Sequence, residues 1–152
     1  MRILSVMLVI VLSLCSLAVF GVAIPAEHYV LIEIGENVGD LEVKTAGRHI
    51  DVDWKVNDNG RGPKIKEKIE LDAAGLPVHW EIEGTAGVGA PVKETFDFTG
   101  GRAKWKSLDD SGEATSKAPL YNPNNASPWA LGLFLRTLLA TPGEKHALLP
   151  SG

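Results

Sequence analysis

The stretch His49–Leu71, HIDVDWKVNDNGRGPKIKEKIEL, decides the fold. Over His49–Val56, Ile50, Val52, Trp54 and Val56 alternate with Asp51, Asp53 and Lys55. A period of two puts the apolar set on one face of a strand and the charged set on the other. The chain then crosses Asn57-Asp58-Asn59-Gly60, where Asn-Gly is a strong short hairpin signal. Pro63 cannot donate a ladder hydrogen bond, so it belongs at the start of the next strand. Alternation resumes with Ile65, Ile69 and Leu71 on one face and Lys64, Lys66, Lys68 and Glu70 on the other. Strands joined this tightly pair antiparallel, because parallel neighbours need a long crossover. One apolar face and one charged face describe a sheet with one wet side.

The same reading extends outward in both directions. Upstream, Tyr29 to Ile34 is rich in β-branched residues, Gly35-Glu36-Asn37 reads as a turn, and Leu41-Glu42-Val43 alternates. Downstream, Asp72-Ala73-Ala74-Gly75 turns the chain, and Val78, Trp80 and Ile82 alternate with His79, Glu81 and Glu83. Gly84 to Gly89 reads as a glycine-rich connection. Val92, Phe96 and Phe98 mark a strand, Thr99-Gly100-Gly101 a turn, and Ala103 and Trp105 a further strand. Asp109 to Lys117 is polar and reads as a loop. Ser127 suits a helix N-cap and Pro128 the first helical position, so a helix is expected over 128–140. Thr141-Pro142-Gly143 stops it. A short extended piece, His146 to Pro150, follows. The fold class is therefore mainly β (α+β): an antiparallel meander of about seven or eight strands with one C-terminal helix. Trp129 to Ala140 has only Arg136 and Thr137 as polar side chains. A helix apolar nearly all round needs cover on more than one side, and the sheet supplies one.

Composition bounds the function. The 152 residues carry 15 Lys plus Arg against 19 Asp plus Glu, a formal net charge of −4. Such a chain lacks the cationic excess that phosphate neutralisation needs, so nucleic acid is not an expected partner. A 45% apolar content excludes a mostly disordered chain. One cysteine, Cys15, allows neither an internal disulfide nor a cysteine zinc cluster.

The N-terminus reads as an export signal. After Met1-Arg2, no charge occurs from Ile3 to Ala26. Small residues at Gly21 and Ala23 place cleavage after Ala23, with Ala18 as a second site. Residues 1–23 are thus read as a signal peptide helix and 24–152 as the β domain. The protein is then exported, periplasmic or extracellular. An uncleaved run of this length could instead anchor the chain in a membrane. Cys15 as a lipid attachment point is disfavoured by the bulky Leu14 before it.

No constellation forms a complete active site, and no catalytic, cofactor-binding or metal residue is assigned. Asp51 with Asp53, and Glu81 with Glu83, could share acid–base work but fit a solvated strand face better. The Asn57–Gly60 run fails the calcium-loop pattern, because Lys55 and Lys66 hold its first and twelfth positions. Gly84, Gly87 and Gly89 have the wrong order and context for a dinucleotide fingerprint. His79 sits alone on the charged face of its strand, and His28, His49 and His146 offer it no ligand-spaced partner. Asn125-Ala126-Ser127 is a formal glycosylation sequon, but the N-cap explains Ser127. Trp54 and Trp80 fall on apolar strand faces, which favours core over a ligand surface for them.

NDNGRGPKIKEKIELDAAGLP, IEGTAGVGAPVKETFDFTGGRAKWKS, LYNPNNASPWALGLFLRTLLATPG and LLPSG together resemble the N-terminal region of exported bacterial amidohydrolase-family proteins. The resemblance covers roughly Tyr29 to Gly152, and DNGRGP is its most specific piece. It implies an accessory domain ahead of a metal-dependent hydrolase barrel, whose first strand bears a His-x-His pair. No His-x-His occurs in this chain, so none of the family's metal ligands maps onto it. A divalent metal is expected only in the missing barrel, and a truncated or split gene product is the expected origin. The partner implied is a downstream catalytic barrel, in cis or in trans, with a membrane involved only if the signal stays uncleaved. The alternatives are a periplasmic module holding an apolar ligand on a curved sheet, or a membrane-tethered interaction domain with Ile3 to Ala26 as its anchor.

Overall fold

Asn59 and Gly60 both adopt positive φ, 49° and 81°. They sit between Asp58 and Arg61, whose backbones exchange hydrogen bonds of 2.7 and 2.8 Å. This is the primed two-residue hairpin turn, whose twist matches that of its flanking strands. Gly60 accepts its conformation without strain, and its Cα faces open space. Gly60→Val should therefore cost only the backbone penalty, about 1–3 kcal/mol. Urea denaturation reads it as a lowered midpoint at constant slope; an unchanged midpoint would assign the motif to a contact rather than to folding.

The computed structural model describes residues 26–117, 120–140, 142–143, 145 and 148–150. The expected signal peptide with its cleavage site after Ala23, Cys15, Thr141 and His146 lie outside them. Eight strands form one antiparallel sheet in sequence order. They are β1 (Glu27–Glu33), β2 (Glu36–Ala46), β3 (His49–Val56), β4 (Lys64–Leu71), β5 (Pro77–Thr85), β6 (Pro91–Thr99), β7 (Arg102–Lys106) and β8 (Ser111–Thr115). The helix α1 spans Pro128–Ala140. Ser127 caps it, its hydroxyl accepting the Ala130 amide at 3.2 Å. Pro63 lies just before β4, and its carbonyl accepts the Val56 amide at 2.9 Å.

Cross-strand register converts the sequence alternation into rows. On the apolar face, Ile50, Ile69, Trp80, Phe96 and Trp105 follow one another across β3 to β7. Leu41, Trp54 and Ile65 make a second row on this face, with Val43 and Val52 between the two. Ala130 and Leu133 of α1, with Tyr121 and Leu149, close the core over this face. Tyr121 stacks on Phe96 with centroids 4.3 Å apart and meets Trp80 edge-on.

Three local expectations are corrected. Asp109 to Lys117 is not all loop: β8 pairs with β7 from Arg102↔Thr115 to Lys106↔Ser111. Its sequence, Ser-Gly-Glu-Ala-Thr, carries little strand propensity; Gly112 is required because the Trp105 ring occupies the space a Cβ would take. The first turn is Ile34-Gly35, both at positive φ, and Glu36 and Asn37 already belong to β2. Gly84 and Thr85 extend β5 rather than join the connection.

Candidate functional site

The charged face of the sheet gathers most of the polar residues singled out from the sequence, and register explains them. Lys68 stands between Asp51 and Glu81, and Lys66 between Asp53 and Glu83. Opposite charges paired across strands stabilise the sheet; each of these carboxylates has a lysine directly opposite on β4, although Asp53 also meets Glu42 on its β2 side. His79 is the most engaged member. Its Nδ1 lies 2.7 Å from Asp97 and its Nε2 3.4 Å from Glu81. The Asp97 hydrogen bond holds the imidazole pKa above its usual value, with a smaller contribution from Glu81. Nδ1 is thus hydrogen-bonded to Asp97, while Nε2 lies at ion-pair distance from Glu81. Among the described residues, no group of three or more His, Cys, Asp or Glu could hold a metal ion.

The tryptophans divide. Trp80 is buried; Trp54 and Trp105 are half-buried and pack against the core. Trp129 has another role. It meets β1 in an open groove of about 380 Å³ lined by Tyr29, Val30, Leu31, Leu41, Pro128 and Trp129. That volume lies in the range of ligand and side-chain pockets, and nearly all of its walls are apolar. Glu27 fixes the two aromatic walls. Its carboxylate accepts the Tyr29 hydroxyl at 2.5 Å and the Trp129 indole N–H at 3.1 Å. The Tyr29 bond holds the Glu27 carboxyl below the usual carboxylate range. Arg136, two helical turns further along α1, lies 5.9 Å from the centre of the Trp129 ring. The walls are therefore oriented before anything binds.

Two functional candidates escaped the alternation pattern. Glu67 and Glu94 occupy apolar-phase positions, Ile65-x-Glu67-x-Ile69 and Val92-x-Glu94-x-Phe96. Each is 1% exposed. They share a row with Val52 and Ile82, Ile82 lying between them. Glu67 accepts the Trp80 indole N–H at 2.9 Å and the Ser127 amide at 2.5 Å. Glu94 accepts the Tyr121 hydroxyl at 2.5 Å and the Asn124 amide at 3.2 Å. The signal for them was present: a carboxylate in phase with core residues needs a buried partner. Their partners lie 13 to 60 residues away in sequence, beyond any local pattern. Ser127, the third residue of the sequon, is fully buried.

On the outer side of α1, Leu131, Leu135 and Leu139 recur every fourth position and are 38%, 53% and 79% exposed. Residues four apart share one helix face, so these three form a stripe. No described helix is long and apolar enough to cross a membrane. No family model matches the chain, no characterised protein matches its sequence, and no solved structure matches its fold.

Proposed function

We propose that this chain is a non-catalytic accessory domain of an exported, metal-dependent amidohydrolase-like protein, docking through α1 and β1 onto a catalytic barrel supplied in cis or in trans. The exposed stripe Leu131, Leu135 and Leu139 carries this reading. Contiguous apolar surface on a protein in water marks an interface or an aggregation site. The groove beside Trp129 adds a preformed recess for an apolar side chain of the partner. The sequence resemblance names the kind of partner, and the apolar N-terminal run supports export. Chemistry in the whole protein would be metal-assisted hydrolysis carried by residues of the barrel.

The test is association. The isolated chain should self-associate or bind a hydrophobic dye. Exchanging Leu131, Leu135 and Leu139 for Gln together should abolish this, with the melting temperature nearly unchanged because surface substitutions cost within about 0.5 kcal/mol. Adding a barrel from a protein of the resembled family should do the same. A monomer that binds no dye would overturn the reading.

A second reading draws on the same groove: a periplasmic module for an apolar ligand. The ligand could not lie between sheet and helix. The void among Trp80, Leu120, Tyr121, Leu133 and Phe134 is about 10 Å³, the scale of one water. It would have to sit in the groove between Tyr29 and Trp129, and native mass spectrometry of the purified chain would find it as a bound mass.

A further inference from the structure

The two most exposed large apolar side chains among the described residues are Ile34 and Val88, at 98% and 91%. Both stand at hairpin tips. In an antiparallel meander alternate turns share an end, so the β1–β2, β3–β4 and β5–β6 turns lie together at one end of the sheet. The opposite end carries 47–48, 72–76 and 100–101, with no exposed large apolar residue. Ile34 also has a φ of 50°. A β-branched residue there is a steric outlier, and at this exposure no packing offsets the strain. Between the two apolar tips stands the 57–63 turn. The Gly62 amide donates to the Gly87 carbonyl at 3.1 Å and ties it to the β5–β6 turn. The open recess between these turns measures about 470 Å³ and is lined by Arg61, Lys64, Thr85, Val88, Gly60, Gly62, Gly87 and Gly89. No acid lines it; Glu33, Glu36 and Asp58, the acids of the neighbouring turns, lie outside it. Neither Arg61 nor Lys64 is ion-paired among the described residues.

We propose that this end of the sheet docks on a phospholipid surface: Ile34 and Val88 enter its apolar boundary, and a headgroup phosphate sits between Arg61 and Lys64. Neighbouring strands are ~4.8 Å apart, which separates the Ile34 and Val88 hairpins by ~19 Å. Two side chains so far apart, each alone on its turn, offer a protein no contiguous apolar patch. A bilayer interface is fluid and moulds to both. Apolar contact and the attraction of cations to lipid phosphate act together in such binding. The recess supplies the second contribution. A guanidinium and an ammonium beside an apolar tip match a lipid, whose phosphate lies beside its acyl region. This surface shares no residue with the α1 stripe or with the groove beside Trp129, so it stands apart from the docking read there.

Site-specific fluorescence on the intact chain tests this, with Cys15→Ser removing the one native thiol. An environment-sensitive dye on Gly87→Cys, where nothing lies within 4 Å of the Cβ position, should shift to the blue on vesicles of phosphatidylcholine and phosphatidylglycerol. The same dye on Ala74→Cys, at the opposite end, should not. Dye position thereby separates this surface from insertion of the Ile3–Ala26 run or of the α1 stripe. Ile34→Asn should lower the vesicle partition coefficient roughly tenfold. Its melting temperature should hold or rise, because Asn accepts positive φ. Arg61→Gln and Lys64→Gln should each lower partition roughly fivefold. Leu108→Asn should change it little. Its turn is set back from this end, because Lys106 pairs with Thr95 in the body of β6. No shift at position 87, an equal shift at 74, or a folded Ile34→Asn chain that binds vesicles like the parent overturns the proposal. A shift at 87 that inorganic phosphate alone produces, or that only an added protein produces, assigns the tips to another occupant and overturns it too.

Discussion

Gly84→Ala should unfold the domain or lower its stability by about 3–5 kcal/mol, the sum of backbone strain and overpacking against an immovable neighbour. Gly84 lies in β5 at φ 145°, a region that residues with a Cβ rarely adopt. A Cβ there would stand 1.9 Å from the Lys64 carbonyl oxygen and 3.1 Å from the Ile65 Cα. Both are backbone atoms of β4, directly across the ladder in the pair Ile65↔Gly84. Relief would require β4 and β5 to part at the centre of the sheet. Gly89→Ala is the control: its φ of 83° brings strain, but nothing lies within 4 Å of its Cβ position. It should cost only about 1 kcal/mol. Urea midpoints of the two variants should differ widely, and equal midpoints would show that β4 and β5 do not approach this closely.

Trp80→Ala should cost about 4–6 kcal/mol, from a buried cavity and a stranded carboxyl oxygen together. Trp80 is 1% exposed and packs edge-on against Tyr121. Its indole N–H is the donor to Glu67 Oε2. Domains of this size are stable by only about 5–15 kcal/mol, so the variant will be marginal or unfolded. Trp80→Phe separates the two terms. It keeps most of the volume and loses the donor, and its cost should fall to about 1–3 kcal/mol. Denaturation of both variants checks this; a Phe variant as stable as the parent would show that the Glu67 bond contributes nothing net.

Strand text with strict alternation was readable one segment at a time. Ile50, Val52, Trp54 and Val56 fixed their face of β3 without reference to any other strand, and Asn59-Gly60 fixed the turn type, because local sterics decide φ. β8 was not readable in the same way. Ser111–Thr115 has no apolar rhythm, and it is a strand because β7 offers an unpaired edge and Trp105 covers Gly112. The groove was equally hidden. Tyr29 and Trp129 are a hundred residues apart, and only the fold sets them on one carboxylate, Glu27.

By itself the sequence determined the strand order of the hairpins, the capped helix at 128–140 and the apolar surplus on that helix, since each depends on contacts a few residues long. The tertiary structure decided which leucines remain uncovered and where the buried acids find their donors. Alternation can place Glu67 and Glu94 on the core face, but whether they are tolerated there depends on Trp80, Tyr121, Asn124 and Ser127 arriving from elsewhere in the chain. A buried carboxyl is defined by partners that share its space rather than its segment, and such partners have no local spacing to read.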